Sequence, residues 1–147
     1  MRYLYLDDVR DPRDSGAFMH TTIYGSKHWH IVRNYEEFVM YLRTNGMPDV
    51  VSFDHDLNQG HYHRNVDEWG NIDYASEDFA EPVNKTGYHC AQYMVDMCIR
   101  NQIRLPNYLV HSMNPVGKKN IHKLLEYNRD YILKNAKTLP LNFSSVV

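Results

Sequence analysis

The sequence lacks the features that mark several classes of protein. Its 147 residues hold only two cysteines, Cys90 and Cys98, too few for a disulfide framework and in keeping with a reducing compartment. No stretch approaches the ~20 consecutive apolar residues of a membrane span. The opening MRYLYLDDVR interrupts its apolar run at Asp7, unlike a secretory leader, so a cytoplasmic location is expected. A basic surplus is missing too: 16 Lys and Arg stand against 18 Asp and Glu, for a net charge of −2. That balance argues against the broad cationic footprint of a duplex-DNA binder. Repeats and low-complexity tracts are absent, and the length suits a single domain over 1–147. What is plentiful is polar rings, nine His and twelve Tyr. Such rings move protons and stack on bases, although tyrosine is also ordinary half-buried packing.

Residues 2–6 (RYLYL) form a short β-type run closed by Asp7 and Asp8. The stretch 9–27 contains Pro12, Gly16 and Gly25 without a helical period and reads as a loop, so that the first crossover loses its helix. Residues 28–32 (HWHIV) read as a second strand. Asn34 then caps a helix with Glu36 and Glu37 in its first turn, an apolar face of Tyr35, Phe38, Val39 and Leu42, and a stop at Asn45-Gly46. Residues 49–53 (DVVSF) have the pattern of a strand covered on both faces. They run into Asp54-His55-Asp56 and then a segment at 58–86 with no period, whose length suits a lid or binding loop. A helix follows at 88–101, a fourth strand at 108–111 (YLVH), and a third helix opened by Asn114-Pro115 and running to residue 134. The tail at 139–147 offers a last short strand. Strands alternating with helices predict an α/β fold, a small doubly wound parallel sheet with right-handed crossovers.

Open α/β sheets bind ligands at the carboxyl ends of their strands. Here those ends carry Asp7-Asp8, Asp54-His55-Asp56 and His111-Ser112-Met113-Asn114, and strands ~4.8 Å apart bring such clusters onto one site. Carboxylates crowded at one edge repel unless a cation sits among them, and oxygen ligands suit Mg²⁺ or Mn²⁺. Asp7, Asp8 and Asp54 are the candidate metal ligands. A turn cap explains a lone Asp pair equally well; Asp54 and Asp56 alongside favour the functional reading. His55 and His111, at the ends of adjacent strands, are candidate proton shuttles on either side of a phosphorus atom, with Asp56 orienting an imidazole. A metal-free mechanism with two histidines stays open beside the metal-assisted one. The other seven histidines read as structural, with His61 and His63 a weak metal pair. The helix start at Asn114-Pro115, with Ser112 and Lys118, offers an anion site, although Lys118 and Lys119 also fit a solvated surface pair. In the insertion, Tyr62, Trp69 and Tyr74 are candidates to stack a base, while its six acids suit docking on the basic C-terminal helix.

LDDVR at 6–10, SFDHDL at 52–57 and HSMNPVG at 111–117 resemble the cyclic-phosphate processing receiver-like proteins of bacteria and phages. The resemblance implies a flavodoxin-like, response-regulator-receiver sheet with a degenerate first crossover and a long inserted loop. It matches Asp7 and Asp8 to the receiver's paired metal-binding acids, Asp54 to its phosphoacceptor, and places Ser112 near its strand-four hydroxyl. A receiver's lysine after strand five has no clear counterpart, and His55, Asp56 and His111 lie outside the signalling pattern. The implied activity is opening a cyclic phosphate on a nucleotide or an ADP-ribose derivative from RNA repair. The expectation is therefore a phosphodiesterase taking a small nucleotide-like substrate, with Asp54, His55, Asp56 and His111 catalytic and Ser112, Asn114 and Lys118 on the phosphate. Two other readings are a phospho-accepting receiver using Asp54, and a nucleotide-sequestering protein without turnover. An aspartate-dependent phosphatase is disfavoured because its acid pair opens the first strand, whereas this one ends the third.

Overall fold

In the computed structural model, which describes residues 1–57 and 85–135, four strands alternate with helices. In chain order they are β1 (Tyr3–Leu6), α1 (Pro12–Met19), α2 (Ile23–Ser26), β2 (Trp29–Val32), α3 (Tyr35–Asn45), β3 (Val50–Phe53), α4 (Gly87–Asn101), β4 (Asn107–Val110) and α5 (Pro115–Asn135). All strand pairs are parallel, in the order β2-β1-β3-β4. This is the parallel α/β sheet that the alternation predicts and that the resemblance implies. The insertion with Tyr62, Trp69, Tyr74, His61 and His63, and the tail strand at 139–147, lie outside the described residues. No helix among the described residues is long and apolar enough to cross a membrane.

The strands' two-residue period separates two layers. Leu4, Leu6, Val51, Phe53 and Val110 face a core completed by Phe38 and Leu42 of α3, Ala91 and Met94 of α4, and Ile121 and Leu125 of α5. Tyr5 and Val50 face the other way, into a smaller aromatic layer with Tyr24 and Trp29. That second layer corrects the reading of 9–27 as a loop. Pro12 starts α1 instead of breaking the chain, because the first helical position needs no amide hydrogen. The Asp11 amide donates to Asp14 Oδ2 at 2.9 Å, closing the first turn. Gly16 lies within van der Waals reach of the Tyr24 Cβ, at 3.5 Å from where its own Cβ would sit, so α1 and α2 pack closely. The first crossover is short and divided in two, yet helical.

The turn after β3 is held between two helix starts. Gly87, at the beginning of α4, donates its amide to the His55 carbonyl at 2.8 Å. A Cβ on Gly87 would lie 1.7 Å from the Asp54 carbonyl oxygen, and one on Gly117 would lie 2.3 Å from the His55 ring. Both glycines let a helix approach residues 54–56 more closely than any side chain permits. Gly25, in contrast, has nothing within 4 Å. Gly87→Ala is expected to destabilise the fold by about 1–3 kcal/mol, since backbone must shift to admit the methyl group. Gly25→Ala should leave the thermal midpoint unchanged or raise it slightly. Thermal unfolding of the two variants checks this, and equal midpoints would contradict it.

Candidate functional site

Parallel register brings the polar strand ends together. Tyr5 pairs with Ser52, and Ser52 with Leu109. Two residues further along each strand stand Asp7, Asp54 and His111, on the same face by the period of two. The ladder continues to them, with the Asp54 amide on the Leu6 carbonyl and the His111 amide on that of Phe53, both at 2.9 Å. One ligand atom from each of the three lies within 4.8 Å of the others, and all three residues are buried. Their spacing is compatible with a metal site.

Asp7 is enclosed by donors. Its Oδ1 accepts the amides of Val9 and Arg10 at 2.9 and 2.8 Å, and its Oδ2 accepts Arg10 Nε at 2.9 Å and His111 Nε2 at 3.1 Å. Burial alone would raise its pKa; the bond from His111, the two amides and the Arg10 charge hold it at about 2. Asp7 is therefore a fixed negative charge.

Asp54 has the opposite balance. Its Oδ1 accepts the His55 amide at 2.9 Å and Arg10 Nη2 at 3.3 Å, and no described residue donates to Oδ2. Burial and then the Asp7 charge push its pKa up to about 7, against the pull of Arg10 and of the His55 amide. Asp8 is half-buried and adds its charge to the same upward push.

His111 is fully enclosed. Its ring stacks on Tyr5, with centroids 4.4 Å apart and planes 5° from parallel. Because Nε2 faces a carboxylate, Nε2 carries the proton and Nδ1 accepts from the Ser52 hydroxyl at 2.7 Å, which accepts in turn from Tyr24 at 2.7 Å. Burial lowers the pKa of His111, and Asp7 only partly opposes this. Both ring nitrogens are thus used inside the protein. The sequence reading set His111 and His55 on either side of a substrate atom, but His111 reaches no solvent from its place behind Asp7.

His55 sits in a different setting. Its Nδ1 donates to Asp56 Oδ1 at 2.7 Å, and Asp56 also accepts from Asn114 Nδ2 at 3.2 Å. The ring lies over Gly117, in the first turn of α5. Asn114 caps that helix, its Oδ1 accepting the Gly117 amide at 3.0 Å, and Ser112 Oγ accepts the Asn114 amide at 3.0 Å. The helix start therefore offers an anion less than the sequence suggests. Pro115 has no amide hydrogen, Gly117 and Lys118 spend theirs on Asn114, and Val116 alone keeps an amide with no bond to a described residue. Lys118 is exposed and lines a groove of about 750 Å³ along β4 with Lys119 and His122. No ion pair joins it to Asp54 or Asp56 among the described residues.

Arg10, Ser52 and Tyr24 are the site residues that the sequence reading passed over. Ser52 had a signal, a lone hydroxyl in the apolar run VVSF. Arg10 had one too, a cation three residues after Asp7. Residues 2–127 match the family model described as the cyclic-phosphate processing receiver domain. Nothing among the curated proteins or the solved structures matches the chain.

The proton on Asp54 ties stability to pH. Its folded pKa lies above the unfolded value of 3.8, so its contribution is complete below 3.8 and disappears as the pH rises through about 7. Asp54→Asn cannot ionise, so it should gain on the wild type between pH 5 and pH 8 by about 2 kcal/mol, several degrees in Tm. Thermal melts across that range test the sign. A difference independent of pH would contradict it.

Proposed function

The chain belongs to the cyclic-phosphate processing receiver domain family, and on that premise we propose that it is a phosphodiesterase opening a small cyclic phosphate. The substrate class is a nucleotide or ADP-ribose-type cyclic phosphate, bound at the carboxyl edge of the sheet. One observation carries this reading: a buried acid with a pKa near 7, Asp54, whose Oδ2 accepts from no described residue, adjoins an imidazole fixed by its own carboxylate, His55 on Asp56. A group with a pKa near the working pH suits proton transfer in either direction.

The roles follow from which atoms are spoken for. With its Nδ1 hydrogen on Asp56, His55 keeps the Nε2 lone pair to take a proton from water. The water oxygen forms a bond to phosphorus, the ring P–O bond breaks, and Asp54 gives its proton to the departing oxygen. The product is a phosphomonoester, and the proton on His55 returns to Asp54 through solvent. With Asp54 protonated, Arg10 offsets Asp7 and only Asp8 adds negative charge nearby; with Asp54 ionised the pocket repels an anion more strongly. Substrate binding therefore favours the acid form. The Ser112 hydroxyl and the Val116 amide hold phosphate oxygens, Asn114 and Asp56 orient His55, and His111 positions Asp7 without touching substrate. Lys118 adds positive potential at the rim.

Phosphorus NMR on nucleoside 2′,3′-cyclic phosphates and an ADP-ribose cyclic phosphate tests the assignment. The wild type should yield monoesters, and Asp54→Asn and His55→Ala should each lose about 10²–10⁴-fold in kcat. Turnover should also fall as the pH rises above 7, because the acid is then ionised. Wild-type rates in both variants, or tight binding without product, would overturn the hydrolase reading, the latter in favour of a sequestering protein.

A further inference from the structure

The sequence proposes a divalent ion among Asp7, Asp8 and Asp54, the first two matching a receiver's metal-binding acids, and the spacing of Asp7, Asp54 and His111 would admit a cation. Two members of that set, Asp7 and His111, have no lone pair left to offer it. A carboxylate oxygen offers two lone-pair positions, and Asp7 has filled both on each oxygen with protein donors. The His111 ring has no lone pair to give, since Nε2 donates and Nδ1 accepts from Ser52. A hard ion such as Mg²⁺ also prefers oxygen ligands to imidazole. The cation already in place is a guanidinium. Arg10 Nε is 2.9 Å from Asp7 Oδ2, its Nη2 is 3.3 Å from Asp54 Oδ1, and its Cζ lies 5.3 Å from the centre of the Phe18 ring. Its Nη1 bonds to no described residue, and its side chain remains 24% exposed.

We propose that Arg10 takes the place of the divalent ion in this pocket, that its Nη1 binds a phosphate oxygen of the substrate, and that turnover needs no metal. This rests on the hydrolase reading above and adds a catalytic residue to it. A planar fork of N–H donors matches phosphate geometry. The Asp7 carboxylate on Nε, the Asp54 carboxyl group on Nη2 and a ring against the guanidinium fix its orientation before substrate arrives, as electrostatic stabilisation of a phosphoryl transition state requires. The Phe18 contact also explains what α1 supplies to the site. Arg10 stays protonated throughout, since Asp7 and Asp54 raise its pKa against the opposing effect of burial.

Two measurements test it. In the first, the wild type is stripped with EDTA and given adenosine 2′,3′-cyclic phosphate; turnover should be unchanged, whereas abolition restored by Mg²⁺ or Mn²⁺ would overturn the proposal. In the second, Mn²⁺ is titrated into isotope-labelled protein without substrate. Amide signals at residues 7, 54 and 111 should stay sharp in the wild type and broaden in Arg10→Ala, where the acids lose their cation. Broadening at those residues in the wild type would overturn it. Arg10→Ala should also lose about 10²–10³-fold in kcat, the usual cost of removing one transition-state donor, with Arg10→Lys recovering part. If the wild type hydrolyses no cyclic phosphate under any condition, the hydrolase reading fails, and the Mn²⁺ titration of the wild type still decides whether Arg10 holds the cation's place. That arm needs no variant to fold.

Discussion

The Asp7 carboxylate is the fixed point on which the polar end of this molecule depends. It accepts two backbone amides, the Arg10 side chain and the His111 ring, and this keeps it charged although buried. Each neighbour's state follows. Its charge draws Arg10 inward and fixes which nitrogen of His111 carries the proton. It also pushes the Asp54 pKa up. Two acids at the ends of adjacent strands could not both ionise cheaply in a buried setting. The chain resolves the conflict by giving Asp7 nearly all the donors and pushing the Asp54 pKa up to about 7.

The rest of the fold holds this arrangement in place from both faces. Behind the acids, the aromatic layer of Tyr5, Tyr24 and Trp29 closes over His111 and links it through Ser52 to the Tyr24 hydroxyl. In front, the starts of α4 and α5 press glycines against Asp54 and His55. The His55 imidazole is thereby set over the first turn of α5, with Asp56 and Asn114 fixing its orientation. The part of this network around Asp7 and His111, where every polar side-chain atom has a partner, is rigid because each member would lose one if it moved. The consequence is a pocket whose rear is closed and fully partnered, while its front edge keeps the Asp54 Oδ2 and His55 Nε2 positions without a bond to any described residue.

Much of this was legible in the sequence, for a physical reason. Parallel neighbours put strand ends side by side, so the clusters after RYLYL, DVVSF and YLVH had to meet at one edge. What was not legible depends on tertiary cover. Calling 9–27 a loop hid α1 and α2, and with them the aromatic layer that seals His111. His111 and His55 consequently looked equivalent, both being histidines at strand ends. Asn114-Pro115 was correctly placed as a helix start, but the count of spare amides required knowing that Gly117 bonds to Asn114 Oδ1. The direction of the Arg10 side chain, from the connection after β1 across to Asp54, follows only from the packed positions of Phe18 and the two acids.

The claim that ties these features together is that Asp54 holds its proton to near neutrality while Asp7 does not. A carbon-13 NMR titration of the aspartate carboxyl groups measures it directly in the intact protein. The Asp54 signal should titrate with a midpoint near pH 7 and that of Asp7 well below the ordinary carboxylate range. An Asp54 midpoint at the ordinary value near 4 would contradict the account, because the pocket would then hold two negative charges and no acid for the leaving group.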